Sequence, residues 1–154
     1  MNILFRISFF VLLLLWCAGI FAEFILPYSG KAGILFPFIN VLYSDVCHQQ
    51  QFKRICLGNS YLLVCSRCTG IYLGLLISSF LSLFIQNFKK PLYLLFLSAL
   101  PMLLDVCLYT MGFYTYSQIL ALFTGVLLGS VGFFYILDGF ENFIYEWKTK
   151  RIKN

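Results

Sequence analysis

Residues 61–85 read YLLVCSRCTGIYLGLLISSFLSLFI, with Arg67 as the single charged residue in the run. The stretch exceeds the roughly 20 apolar residues that a helix needs to cross the hydrocarbon core of a bilayer. Its hydrophobicity is continuous rather than alternating, which argues against a strand of a membrane barrel. Three further stretches share the pattern. Residues 7–26 precede it and end at Pro27, residues 91–112 start at a proline tolerated in the first helical turn, and residues 118–139 give way to a charged tail, 141–154. The expected fold is all-α: a polytopic membrane protein of one domain, residues 1–154, with four transmembrane helices. Composition agrees, since 61% of residues are hydrophobic and 11% charged, against about 25% charged in soluble domains. A water-soluble enzyme is excluded, and so is a disordered chain, which needs low hydrophobicity and high charge.

The first stretch also has the outline of a signal peptide, with Arg6 before an apolar core. The end at Ile20-Phe21-Ala22 is a poor cleavage site and the apolar run continues past it, so a retained helix is expected. Trp16 before Cys17 argues against a lipoprotein site. Cations orient the bundle. Arg6, Lys89, Lys90, Lys148, Lys150, Arg151 and Lys153 fall on one side, and Lys31, Lys53, Arg54 and Arg67 on the other. The richer side is expected to be cytoplasmic, which puts both termini inside and the loop 27–60 outside, in a bacterial inner membrane. The net charge of +5 is then a topology signal, with some attraction of the tail to anionic lipid. The expected partner is the lipid bilayer; nucleic-acid binding needs a folded basic surface, and none is evident. The apolar residues 33–43 are too short to cross, and are expected to lie at the outer interface or dip back into the bundle.

The chemistry-bearing residues cluster where the loop enters the second span: Cys47-His48-Gln49-Gln50, then Cys56, then Cys65-Ser66-Arg67-Cys68-Thr69-Gly70-Ile71-Tyr72-Leu73-Gly74. With 61–85 helical throughout, Cys65 and Cys68 share a helix face, and the loop can fold Cys47 and His48 over it. Two readings compete. In the first, Cys47, His48, Cys65 and Cys68 hold zinc, or Cu(I), which soft thiolates with one imidazole also suit. Metal handling or transport would follow, with a homo-oligomer to complete a path. In the second, Cys65–Cys68 is a thiol–disulfide pair whose thiolate is favoured at the helix N-terminus, relayed by Cys47 and Cys56 and coupled in layout to a quinone. A third reading makes the cysteines structural disulfide staples in a partner protein. Whether the protein is an enzyme is left open by this choice. Cys17 and Cys107, alone in apolar spans, read as packing residues.

Asp105 lies inside the third span, where an ionisable residue marks a functional site by default. At the helix rise its depth matches that of Cys68. It is expected to act as a ligand, as a counter-charge to Arg67 or as a proton acceptor, or else to bond Tyr72, Thr69 or Thr124. Pro101, one turn earlier, frees a backbone carbonyl. Thr69-Gly70-x-x-x-Gly74 aligns with Thr124-Gly125-x-x-x-Gly129, and each GxxxG forms a ridge that lets backbones approach. Matching position and direction would make the chain two similar helical hairpins in parallel repeat.

At these residues the chain resembles a bacterial membrane-protein family, domain of unknown function 2085, whose signature is similar to Cys-His-Gln followed by Cys-x-Arg-Cys-x-Gly-x-Tyr-x-Gly. Cys47-His48-Gln49 and Cys65, Arg67, Cys68, Gly70, Tyr72 and Gly74 fill it. Pro101, Asp105, Thr124, Gly125 and Gly129 are similar to the family's later pattern. An Arg expected just before that Thr-Gly is replaced here by Ala121 and its neighbours. The resemblance, over about residues 43–132, implies a small helical membrane protein and assigns no activity.

Overall fold

The computed structural model describes residues 3–25, 35–57, 60–84 and 91–153. The elements are α1 (Ile3–Ile20), α2 (Ala22–Ile25), α3 (Leu35–Ser44), β1 (Arg54–Leu57), β2 (Ser60–Cys65), α4 (Ser66–Leu81), α5 (Tyr93–Thr110) and α6 (Gln118–Lys153). A 3-10 turn, Gln51–Lys53, leads into β1. Part of the expected outer loop, 26–34, and the connection 85–90 with Lys89 and Lys90 lie outside the described residues.

Helices α1, α4, α5 and α6 run between two ends in alternating directions. At one end Arg6 donates to the Ser82 carbonyl at 2.6 Å and pairs with Glu141 at 3.5 Å, while the Tyr135 hydroxyl donates to the Pro91 carbonyl at 2.8 Å. At the other end Arg67 of α4 pairs with Asp105 of α5. There the Gln118 amide, opening α6, donates to the Arg54 carbonyl at 2.9 Å. The outward faces are apolar: Leu12 and Leu15 of α1, Phe96 and Leu103 of α5 and Ile119 and Phe123 of α6 are all more than half exposed. Three helices, Ile3–Ile20, Tyr93–Thr110 and the Gln118–Ile144 part of α6, are long and apolar enough to cross a membrane among the described residues.

The second expected span is corrected. Its first five residues form β2, so α4 has 16 residues, about 24 Å at the helical rise and short of the roughly 20 residues expected of a crossing. Leu62, Leu63 and Val64 are apolar because β2 packs them against α1–α3, where they are almost fully enclosed; Tyr61 is exposed. Burial in a protein core and burial in lipid leave the same composition. The fold is therefore mostly helical with a two-stranded antiparallel sheet, in register Cys56↔Tyr61 and Leu57↔Ser60 with an irregularity between Arg54 and Cys56. Helix α6 runs on through the charged tail, past the apolar stretch 118–139, to Lys153, with no proline to end it.

Central helix α4 buries small and polar side chains, Ser66, Thr69, Ser78 and Ser79, and packs most extensively on α6. A methyl group placed on Gly70 would sit 2.2 Å from the Leu122 carbonyl oxygen, and one on Gly74 2.5 Å from that of Val126. Reciprocally, a methyl group on Gly125 would run into the Arg67 carbonyl oxygen and one on Gly129 into that of Ile71. The two GxxxG ridges thus interdigitate in parallel, backbone against backbone, the arrangement that small residues permit between membrane helices.

Candidate metal centre

Cys47 is brought to the site by an anchored turn. The chain continues helically past α3, with the Cys47 amide donating to the Tyr43 carbonyl at 3.0 Å. Tyr43 is fixed in turn by donating its hydroxyl to the Trp16 carbonyl at 2.5 Å, with the two rings 4.9 Å apart. Gly19 leaves room for that hydroxyl, since a Cβ there would lie 2.4 Å from it. Beyond Cys47, Gln49 adopts a left-handed φ of 46°. This is uncommon for a non-glycine residue, and it turns the chain out toward the 3-10 turn and β1.

Cys65 and Cys68 arrive from the other side. Cys65 ends β2 in an extended conformation and stands as the N-cap of α4, so only Cys68 lies within the helix. The shared helix face expected for this pair is replaced by a strand-to-helix corner. The corner is held by the Thr69 hydroxyl donating to the Cys65 carbonyl at 3.1 Å and by a 2.7 Å hydrogen bond between Ser66 and Tyr116. Ligand atoms of Cys47, Cys65 and Cys68 all lie within 4.8 Å of one another. Two sulfurs on one tetrahedral zinc stand about 3.8 Å apart, given a Zn–S bond of about 2.3 Å, so a small closure of this triangle accommodates an ion. All three are unbridged thiols. The Cys65 N–H donates to the Cys47 sulfur at 3.3 Å. Hydrogen bonds from the Cys65 and Cys68 thiols hold the Cys47 pKa well below the ordinary thiol value. A thiolate is the form that binds metal.

His48 is exposed and stands apart from the group of three, on the wall of the same cavity. That cavity, of about 320 Å³, is lined by Cys47, Cys65 and Cys68 together with His48, Lys53 and Arg67. Cys56 is exposed on β1 and also stands outside the group. Cys17 is buried, its thiol donating to the Tyr72 carbonyl at 3.6 Å, whereas Cys107 is exposed on α5.

Asp105 is buried and accepts from Arg67 and from the Tyr114 hydroxyl. Of the partners considered for it, the structure provides the counter-charge. Thr69 and Thr124 bond carbonyls of their own chain turns instead, and the Tyr72 ring packs beside Trp16 at 6.0 Å. Three contributors were not read from the sequence. Tyr114 and Tyr116, in the short connection 111–117, reach back over the site. Lys53 has its ammonium 5.2, 5.1 and 5.7 Å from the ring centroids of Phe52, Tyr109 and Tyr116. The aromatic residues of that connection were the available signal, since tyrosine carries an apolar body with a polar handle suited to such a rim.

A family model for predicted membrane proteins, domain of unknown function 2085, matches residues 47–136. An uncharacterised protein of Methanocaldococcus jannaschii is 30% identical over 141 residues, covering 86% of this chain and 90% of that protein. That relative is archaeal, so such sequences are not confined to bacteria. A search of solved structures finds no significant match.

Proposed function

Since the chain belongs to the membrane-protein family of domain of unknown function 2085, we propose that it is an integral membrane protein that binds zinc or copper for metal handling or transport. The observation that carries this reading is the triangle of unbridged sulfurs from Cys47, Cys65 and Cys68. Three thiolates supply the soft donor set that both metals take, and His48 stands on the same cavity wall as a nearby nitrogen donor. The Cys65 N–H on the Cys47 sulfur is the outer-shell support that orients a ligand and tunes its basicity. Proton release accompanies binding as the remaining thiols ionise. Arg67 and Asp105 close the floor as an ion pair. In the membrane, α1, α4, α5 and α6 each cross once, with α4 completing its passage through the apolar hairpin strand above it. Both termini are cytoplasmic and the cysteine end faces outward, in keeping with the cation asymmetry.

Metal analysis of detergent-purified protein tests the assignment. The wild type is expected to hold about one zinc or copper per chain, as a single tetrahedral or trigonal site requires, and Cys68→Ser to hold almost none. Equal and negligible metal in both would end the reading. Orientation is tested separately at Cys56, which is exposed on the hairpin. In intact cells a membrane-impermeant maleimide is expected to label it in a variant lacking the other cysteines. Labelling that requires permeabilised cells would invert the topology.

A second reading, thiol–disulfide exchange, rests on the Cys47 thiolate lying beside two further thiols. It predicts that a fraction of Cys65 and Cys68 is oxidised in native membranes. Fully reduced thiols under all growth conditions would exclude it.

A further inference from the structure

The metal reading leaves one coordination position unassigned, and the surroundings of the three sulfurs point to its occupant. The cavity above them is lined by Val46, His48, Gln49, Gln50, Lys53 and Arg67, and by no carboxylate. Two of these residues, Lys53 and Arg67, carry positive charge. The Nε–H of Arg67 is buried without a hydrogen-bond partner, because its Nη2 is the atom turned to Asp105. Lys53 stacks its ammonium against three rings and forms no ion pair among the described residues.

Charge accounting gives Lys53 its part, which is to offset the repulsion that the site itself would exert. Three thiolates on a divalent ion leave one net negative charge, which would repel an incoming anion. Arg67 and Asp105 cancel each other, and Lys53 brings the cavity to neutrality. His48 is exposed and adjacent in sequence to Cys47, and it stands outside the close group of ligand atoms, which leaves the fourth position facing the cavity. Structural zinc sites are closed by four protein ligands, whereas a site with three keeps its fourth position for water or substrate.

Building on the metal assignment proposed above, we infer that the fourth ligand comes from solution, and that Lys53 on the cavity wall favours a small anion for that position. The anion enters by displacing water, and no bond of the protein is broken. The site then presents its metal to a small anionic donor on the hairpin side, rather than sealing the ion in.

Cobalt substitution of the detergent-purified full chain tests this. Cobalt bound through three thiolates gives sulfur-to-metal charge-transfer absorption and a visible d–d band. Titration with azide is expected to shift the d–d band saturably, with neutral imidazole at the same concentrations much weaker. Lys53→Met is expected to weaken azide by about tenfold, the scale of one nearby charge at intermediate dielectric, and to leave imidazole unchanged. One cobalt per chain with the charge-transfer bands but no azide response would overturn the open position while sparing the metal assignment. A changed cobalt spectrum in His48→Ala would do the same, by making His48 the fourth ligand. Absence of bound cobalt, zinc and copper alike would remove both proposals together. The comparison of azide with imidazole on the wild type decides the matter even where a variant fails to fold.

Discussion

Replacing Gly129 with alanine is expected to destabilise the protein through one contact whose size follows from the backbone. The new methyl would lie 2.2 Å from the Ile71 carbonyl oxygen and 2.9 Å from its carbon, where ordinary contact begins at 3.4 Å. Neither atom can rotate away, so α4 and α6 must part by about 1 Å, a gap that forfeits roughly a quarter to a half of each dispersion contact along the seam. Overpacking typically costs 1–3 kcal/mol. With backbone as the obstacle, the upper part of that range, about 2–3 kcal/mol, is expected. Gly132 provides the control on the same helix. Nothing lies within 4 Å of a Cβ built there, so Gly132→Ala is expected to be neutral or to gain up to about 1 kcal/mol from helix propensity. Unfolding of purified protein in mixed dodecyl sulfate micelles, followed by tryptophan fluorescence, measures both. Equal effects within about 0.5 kcal/mol, the usual scale of unremarkable substitutions, would refute the interdigitated seam.

Two further outcomes follow from the site. Asp105→Asn leaves Arg67, whose side chain is 18% exposed against 6% for the aspartate, without its counter-charge. The expected cost is about 3–5 kcal/mol, recovered in large part by Arg67→Met combined with Asp105→Leu; a single variant as stable as wild type in the same unfolding assay would dismiss the pair as a determinant. In metal-free protein, Cys47 should react with iodoacetamide almost as fast at pH 6 as at pH 8. Its pKa is lowered by the neighbouring thiols, so the thiolate persists as pH falls. An ordinary thiol with a pKa of about 8.5 is under 1% ionised at pH 6. Removing both donors with Cys65→Ala and Cys68→Ala is expected to raise the Cys47 pKa and slow the reaction at pH 6; an unchanged pH profile would remove them as the cause.

The membrane class, the α5 span and the residues that meet at the sulfur triangle were legible because each rests on a local pattern. Long apolar runs have one economical explanation, and cysteines three apart stay close in almost any geometry. The hairpin was not legible from hydropathy, since Leu62, Leu63 and Val64 are as apolar under a sheet as in lipid. Its signal was Gly58-Asn59, a two-residue turn pair between short apolar runs. The glycine segments of α4 and α6 read as packing ridges that could also mark a parallel repeat, and in the structure the two ridges face each other. Lys53 escaped notice because Tyr109 and Tyr116 lie far along the chain, and Tyr114 because no periodicity announces a hydroxyl reaching back to Asp105.

The order in which the sulfurs occur along the chain has a consequence for biogenesis. Cys47, Cys65 and Cys68 are all made before Gln118 opens α6, a lead of roughly fifty residues, or about 3–10 s at ordinary rates of synthesis. During that interval the thiols can meet while the glycine ridge that will brace α4 has not yet left the ribosome, and until α5 follows, Arg67 has no carboxylate beside it. Nascent chains therefore pass through a state in which the triangle is assembled on an unbraced corner. If the triangle takes a metal as proposed, oxidants and metal ions compete for the sulfurs in that window, and the supply of metal during insertion would bear on the yield of intact protein.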